Sequence, residues 1–252
     1  MKRALALIGL LLTSIGVTLA LQVAITLRRD YLPTVPALDI RGRFGDAGEP
    51  LRFVVMGDST AAGVGAGAIE RSYPVLLAER LAGRGQMVEL TSLGYSGDRV
   101  ADVRRDQLPE ALNMRPDLVF IGIGANDATH LTPLSSVRDD MEVVLSSLDE
   151  AGVAVVVAGA PDMRAAAFPE PLRSIVGWRG DRVTIAIEEV AARFPVEVVP
   201  LAVRTRGFFA QDPEEHYADD LFHPGPQGYE RWADAIFPYL TSALAGRAEE
   251  AS

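Results

Sequence analysis

Residues 53–63 read FVVMGDSTAAG, an apolar run that ends abruptly in a glycine, an aspartate and a serine. Residues 53–56 are apolar at every position, which is typical of a strand buried on both faces of a sheet. The turn at Gly57 can leave the hydroxyl of Ser59 exposed and its backbone N–H free to donate. Asp and Ser also form ordinary helix caps, so this stretch alone leaves both interpretations open.

Apolar, β-branched runs of this kind alternate with amphipathic segments along the chain. The runs predict strands at residues 53–56, 88–93, 118–123, 153–158 and 196–200. The segments predict helices at residues 73–81, 100–112, 136–150, 182–194 and 226–244. This alternation predicts an α/β fold: a three-layer α/β/α sandwich around a five-stranded parallel sheet. Functional groups in such a sheet gather at the carboxyl ends of the strands.

An uncharged segment of 24 residues, 4–27, lies between Lys2-Arg3 and Arg28-Arg29. Its length suffices for a helix that crosses a bilayer core of about 30 Å. Residues 1–29 are therefore predicted to be a transmembrane signal-anchor. A signal peptide cleaved after residues 18–20, followed by secretion, is the alternative, although its apolar region is usually only about 7–15 residues. The two basic pairs balance, so they do not choose an orientation.

The rest of the chain divides into three parts. Residues 30–50 contain three prolines and no apolar periodicity, which predicts a linker. Residues 51–245 are predicted to form one catalytic domain, and residues 246–252 a disordered tail.

Composition excludes several functional classes. The formal charge is −10, and without the four cations that flank the apolar segment the remainder carries −14. Such acidity argues against binding nucleic acid through its phosphates. The absence of cysteine rules out disulfides, thiolate catalysis and cysteine-ligated metals.

Residues 118–127, LVFIGIGAND, end a second apolar strand in an asparagine and an aspartate. The amide of Asn126 can donate a hydrogen bond to an oxyanion without competing as a base. An Asx turn explains the same residues equally well, so both interpretations stay open.

Residues 219–226, DDLFHPGP, place two carboxylates four and three residues before His223. A three-residue gap in a turn can set a carboxylate against one ring nitrogen and leave the other to accept a proton from serine. A surface salt bridge is the alternative for this segment. His130 and His216 lack this arrangement.

The order of these segments resembles the SGNH, or GDSL-type, hydrolase family. Its conserved blocks are matched by Gly57-Asp58-Ser59, by Gly94 within LGYSGD at 93–98, by Gly124-x-Asn126-Asp127 and by Asp220-x-x-His223. The similarity extends over residues 53–244. One departure is Ser92, which stands where many members have asparagine.

The resemblance implies a serine esterase or lipase-type acylhydrolase with a flavodoxin-like SGNH fold. Ser59, Asp220 and His223 would be catalytic, and the N–H groups of Ser59 and Gly94 with the side chain of Asn126 would form the oxyanion hole. Carboxylic esters would be cleaved through an acyl-enzyme on Ser59, with no metal and no organic cofactor. The resemblance also implies an extracytoplasmic catalytic domain.

The substrate and the acceptor stay open at this point. Trp178, Phe208 and Phe209 fall where an acyl pocket or lid can form, which favours an acyl-chain or lipid ester; aromatics that merely cap the sheet are the alternative. An O-acyltransferase or deacetylase acting on cell-envelope glycans, or a non-catalytic glycan-binding domain, are competing functions. The expected partners are a small-molecule or lipid ester and, through the N-terminal helix, the membrane; no nucleic acid is expected. A monomer is the working expectation.

Overall fold

Six strands form a single sheet in the computed structural model, which describes residues 2–28, 38–46 and 48–250. The strands are β1 Arg41–Phe44, β2 Pro50–Gly57, β3 Met87–Ser92, β4 Leu118–Gly122, β5 Ala154–Ala158 and β6 Glu197–Val198. Their order is β1-β3-β2-β4-β5-β6. β2 to β6 pair in parallel, and β1 pairs antiparallel with β3.

The helices are α1 Lys2–Leu27, α2 Tyr73–Ala82, α3 Val100–Asp102, α4 Leu108–Asn113, α5 Ala125–Thr129, α6 Leu134–Glu150, α7 Leu172–Ala191, α8 Leu201–Gln211, α9 Pro213–His216 and α10 Pro226–Glu250. A π-helical turn, Val103–Gln107, joins α3 to α4.

Both faces of the sheet are covered, as the continuous apolar strands predict. Alternate residues of β2 point to opposite sides because strand side chains alternate with period two. Phe53 and Val55 join a core with residues of α2 and α10, whereas Val54 and Met56 join one with residues of α6 and α7. The predicted three-layer α/β/α sandwich is confirmed.

The predicted sheet of five parallel strands is corrected by β1, which makes the sheet six-stranded and mixed. β1 lies within residues 30–50, the predicted linker. Three of its four residues are exposed, so it has no apolar alternation by which the sequence reveals it. Charged side chains on such a strand are common at a sheet edge, where they discourage pairing with other chains. Residues 30–37 and 47 of that linker, and residue 29 before it, lie outside the described residues.

Helix boundaries differ from the prediction chiefly in the second half of the chain. α7 begins ten residues before the predicted start, and α8 and α9 were not predicted. The first turns of α7 contain Gly177 and Gly180 and expose Ile175 and Trp178, which obscures their apolar periodicity. Residues 246–250, predicted as tail, continue α10; alanine and glutamate there are strong helix formers. Residues 251–252 lie outside the described residues.

The N-terminal helix α1 is exposed over most of its length and, by length and composition, is apolar enough to cross a membrane. It meets the rest of the chain near its C-terminal end, where Leu19 and Gln22 contact the segment that leads into α7.

Candidate active site

Ser59 lies just beyond the carboxyl end of β2, the strand at which the chain switches direction across the sheet. The chain runs from β2 to β3 on one side and then to β4 on the other, and ligands in α/β sheets bind at such points. The turn is closed by backbone hydrogen bonds from the N–H of Ala62 to the carbonyl of Asp58 and from the N–H of Val64 to the carbonyl of Ser59. Ser59 itself is 9% exposed, so its hydroxyl faces a sheltered space.

Ser59, His223 and Asp220 form one hydrogen-bonded series. His223 Nε2 lies 2.9 Å from Ser59 Oγ, and His223 Nδ1 lies 2.6 Å from Asp220 Oδ2. Asp220 and His223 are buried, whereas Asp219 is exposed. The structure thus brings the predicted catalytic residues together and sets Asp220, rather than Asp219, against the ring.

The carboxylate of Asp220 is held in its ionised form. Burial tends to raise its pKa, but the hydrogen bond and charge of His223 and the N–H groups of His223 and Phe222 hold the pKa below its usual range. Both N–H groups donate to Oδ1 at 2.9 Å. With Oδ1 occupied by the backbone, Oδ2 is directed at the imidazole. An ionised carboxylate there fixes the ring orientation and stabilises an imidazolium.

The loop that holds this pair is closed upon itself. The N–H of Ala218 donates to the carbonyl of His223 at 2.8 Å, and the N–H of Gly225 donates to that of His216 at 2.9 Å. Leu221 takes a left-handed conformation with φ 55°, which a bulky residue rarely adopts and which tight surroundings must impose.

Asn126 and Gly94 approach the same turn from neighbouring strands. Asn126 lines the pocket at Ser59 and donates through Nδ2 to the carbonyl of Asp98 at 2.9 Å, which leaves its second amide hydrogen for a ligand. Gly124, at φ 122°, starts the short helix that carries Asn126. A Cβ on Gly94 would lie 2.4 Å from that of Ala61, so only glycine permits this backbone contact with the nucleophile turn.

Two polar side chains, Ser92 and Gln107, tie the turn to its neighbours; the sequence pointed to a supporting hydrogen bond at position 92, but it did not single out Gln107. Ser92 donates to the carbonyl of Ala61 at 2.8 Å, so the residue that departs from the family pattern still supplies a hydrogen bond to this turn. Gln107 lies in the π-helical turn; it accepts from the N–H of Gly57 and donates to the carbonyl of Gly57 and to Asp98. π-Helical turns frequently occur at functional sites, so this turn could have pointed to Gln107. No pattern in the sequence reveals a π-helical turn, however.

Asp58 is buried beside Ser59. Burial raises its pKa, and hydrogen bonds from the N–H and hydroxyl of Thr60 only partly offset this effect. The nearby ring of His223 also acts to lower the pKa of Asp58.

A mostly apolar pocket with a cavity volume of about 40 Å³ opens at Ser59. Of the three predicted pocket residues, Phe209 lines it. Trp178 is 61% exposed and Phe208 stacks on His216 with ring centroids 3.6 Å apart, so neither lies on the pocket wall. The other wall residues, apart from Ser59, His223 and Asn126, are Asp58, Thr60, Ala125, Pro161, Asp162, Met163, Ala165, Thr205, Tyr217, Phe222, Pro224 and Trp232.

An ionic network holds the pocket rim. Asp162, at the rim, accepts from Arg164 and Arg206 at 2.8 Å, and Asp181 accepts from Arg164 at 2.6 Å. These bonds join the loop after β5 to α7 and α8, so the wall at Asp162 is attached to three elements.

Comparison with known proteins gives one family. Residues 55–231 match the model of the GDSL-like Lipase/Acylhydrolase family. A GDSL-like esterase of Mycobacterium tuberculosis is 30% identical over 197 residues, which are 77% of this chain and 63% of that protein. An arylesterase of Vibrio mimicus is 34% identical over 107 residues, which are 42% of this chain and 52% of that protein. The chain thus spans less than two thirds of the length of either relative.

Solved structures share the fold. The lipase/acylhydrolase from Enterococcus faecalis superposes with a TM-score of 0.64 at 24% identity, covering 76% of this chain and 95% of that one. TesA superposes with a TM-score of 0.62 at 22% identity, covering 76% and 99%.

Proposed function

The chain belongs to the GDSL-like lipase/acylhydrolase family, and on this premise we propose that it hydrolyses carboxylic esters through an acyl-enzyme on Ser59. The hydrogen-bonded series from Asp220 through His223 to Ser59 is the observation that carries the proposal. It joins a nucleophile, a base and a group that orients the base, all beside an apolar pocket.

In the proposed reaction, His223 Nε2 takes the proton of Ser59 as its Oγ attacks the ester carbonyl. Asp220 stabilises the imidazolium that forms, and the imidazolium then protonates the departing alkoxide. Water, activated by the same ring, attacks the acyl-enzyme and releases the acid. Each step conserves the proton, because His223 accepts one and returns it.

The negative charge that develops on the carbonyl oxygen needs donors. We assign this role to the N–H groups of Ser59 and Gly94 and to the side chain of Asn126. The contact of Gly94 with the nucleophile turn and the place of Asn126 on the pocket wall support the assignment. Each such donor is worth about 3–4 kcal/mol in the barrier.

The size of the pocket limits the length of the acyl group that it can hold. The cavity beside Ser59 measures about 40 Å³, which is small beside the roughly 300–1,000 Å³ of pockets that enclose drug-sized ligands. We therefore expect soluble esters of short acids to be turned over fastest. In a series of p-nitrophenyl esters, kcat/KM should be highest at the short-chain end; a maximum at long chains would contradict this part of the proposal.

Covalent labelling tests the nucleophile. A fluorophosphonate probe should label the wild-type protein and spare Ser59→Ala, with Ser96→Ala as a control that keeps full labelling. Undiminished labelling of Ser59→Ala would remove Ser59 from the mechanism. Product analysis in the presence of a glycan acceptor separates hydrolysis from acyl transfer, because only a transferase forms an acylated glycan.

We also propose that α1 is retained and holds the domain at the membrane on its extracytoplasmic side. Its length and composition support the first part, and the family resemblance supports the second. The mature protein should stay in the membrane fraction after an alkaline carbonate wash, with residues 1–29 detected by mass spectrometry. Protease added to intact cells should digest the domain; full protection would contradict the external side.

A further inference from the structure

A small apolar cluster joins the anchor helix to the catalytic pocket. Its buried members are Ala165, Phe168 and Leu172, and Leu19 of α1 packs against them together with Tyr217 and Phe222. Ala165, Tyr217 and Phe222 also line the pocket at Ser59. The ring of Phe222 contacts that of His223, with centroids 5.1 Å apart. The anchor therefore packs on the reverse side of the pocket wall.

Gln22 adds hydrogen bonds to the apolar contact between α1 and this cluster. Its Nε2 donates to the carbonyl of Glu170, and its Oε1 accepts from the N–H of Leu172 at 3.2 Å. That N–H opens α7, where Pro171 supplies no side-chain cap, so Gln22 satisfies a donor that the helix itself leaves unpaired. An amide in an apolar span is costly unless it is hydrogen-bonded, so both partners gain from the contact.

The contact made by Gln22 lies near the C-terminal end of α1, close to where this helix would leave the bilayer. Gln22 lies five residues before Leu27, which corresponds to about 7–8 Å along a helix. The uncharged segment of 24 residues exceeds the roughly 20 that a bilayer core requires. The start of α7 and the wall behind the pocket are thereby held where α1 leaves the bilayer.

The outer surface of α7 continues this apolar face. Ile175 is 44% exposed and Trp178 is 61% exposed, one and two turns beyond the residue that Gln22 caps. Tryptophan is enriched where proteins meet the membrane interface, because its ring is apolar and its N–H is polar.

We propose that this docking face, formed by Ile175 and Trp178, rests on the bilayer that α1 enters, and that the pocket takes esters dissolved in that bilayer. The inference depends on the proposed ester hydrolysis at Ser59 and on the retention of α1. The substrate class is then a short-acyl ester of a membrane-embedded alcohol, since the cavity beside Ser59 is small and the anchor holds the site at the bilayer surface.

Two acetates that differ only in the alcohol test this inference. The full chain is reconstituted in phosphatidylcholine vesicles and supplied with butyl acetate, which stays in water, or hexadecyl acetate, which enters the bilayer. Acetate release is followed by pH-stat titration. Leu19→Ala, Gln22→Ala and Trp178→Ala should each lower the ratio of hexadecyl to butyl acetate hydrolysis by about fivefold or more, as the loss of one docking contact predicts.

Matched controls remove side chains of the same kind from other surfaces. Leu21→Ala lies on the exposed side of α1, and Val203→Ala is an exposed apolar position on α8. Both should leave the ratio unchanged. The rate on butyl acetate reports folded enzyme in each sample, and Trp178→Ala removes an exposed side chain on which folding does not depend.

Crosslinking gives an independent readout, because the chain contains no cysteine. Leu19→Cys combined with Val176→Cys should form an intramolecular disulfide on mild oxidation in vesicles, whereas Leu21→Cys with Val176→Cys should not. An unchanged acetate ratio in all three test variants, or equal crosslinking of both pairs, overturns the docking. Failure of the catalytic proposal looks different: the wild type would cleave neither acetate, or Ser59→Ala would keep the wild-type rate.

Discussion

Two aspartates at opposite ends of the parallel strands accept similar hydrogen bonds but have different proposed roles. Asp117 precedes β4 and accepts from the N–H, Nε and Nη2 of Arg52 at 2.8–2.9 Å, while Asp220 accepts from two N–H groups and His223. Burial tends to raise the pKa of each, and their hydrogen bonds hold both below the usual range. The carboxylates therefore resemble each other electrostatically.

The two carboxylates differ in the residue to which they are bound and in their exposure to solvent. Arg52 keeps its proton at all physiological pH values, and its pair with Asp117 is about one third exposed. His223 can take and return a proton, and its pair with Asp220 is almost fully enclosed. The lowered pKa of Asp220 therefore supports its proposed catalytic role because its partner can exchange protons away from water, which Arg52 cannot.

Replacement of the two carboxylates separates these roles most strongly. Asp220→Asn should lower kcat by about 10⁴, because an amide cannot hold the imidazole in the tautomer that accepts the serine proton. Asp117→Asn should leave kcat unchanged and cost at most about 1 kcal/mol in the free energy of unfolding. Ester hydrolysis and chemical denaturation of both variants provide the comparison. Equal losses of activity in the two variants would contradict the different roles assigned to Asp117 and Asp220.

The next largest effect on kcat should come from Asn126, which lies beyond the carboxyl end of β4. Asn126→Ala should reduce kcat by about 10²–10³, the usual cost of one oxyanion donor. Its thermal midpoint should change little, since the substitution removes the hydrogen bond that the part-buried amide donates to the carbonyl of Asp98 at 2.9 Å and leaves no buried charge. A loss of stability that accounts for the lost activity would favour the Asx-turn role.

Gln107 should affect folding and catalysis together. Gln107→Leu leaves the N–H and carbonyl of Gly57 without this buried partner, which should lower the free energy of unfolding by about 1–3 kcal/mol and also reduce kcat. Gln107→Glu keeps the acceptor for the Gly57 N–H and should lose less stability at acid pH, where it is protonated and can donate. Denaturation at pH 5 and pH 8 distinguishes the variants, and identical stability of all three proteins would contradict the role.

The pH dependence of stability should be the smallest effect. Because the folded pKa of Asp220 and of Asp117 is depressed, their contributions are present above the unfolded carboxyl pKa of about 3.9 and disappear as pH falls through the folded values. Asp58 has a raised pKa, so its contribution runs the opposite way and is lost as pH rises.

Urea denaturation between pH 3 and pH 8 measures these slopes. Asp220→Asn and Asp117→Asn should each flatten the acid loss, whereas Asp58→Asn, which keeps an acceptor for Thr60, should become relatively more stable toward neutral pH. A steeper acid loss in Asp220→Asn would contradict the assigned pKa direction.

The parallel core was predictable because residues 53–56 of β2, together with β4 and β5, are apolar at every position, as expected for a sheet covered on both faces. β2, β4 and β5 fall within a few residues of their expected places for this reason. β1 and the start of α7 escaped because exposed edges and helices with glycines lack a clear period. Trp178 was assigned to the pocket because its segment was interpreted as a loop, whereas it lies on α7 with its side chain exposed.

The sequence by itself determined the fold class, the family and the candidates Ser59, Asn126, Asp220 and His223, since buried strands and short turn motifs are local patterns. Only the tertiary structure decided that Gln107 hydrogen-bonds to Gly57 across 50 residues and that Gln22 of α1 caps α7. These contacts join residues far apart in the chain or depend on the direction of a single side chain. Such relations are set by how elements pack, and no local pattern encodes them.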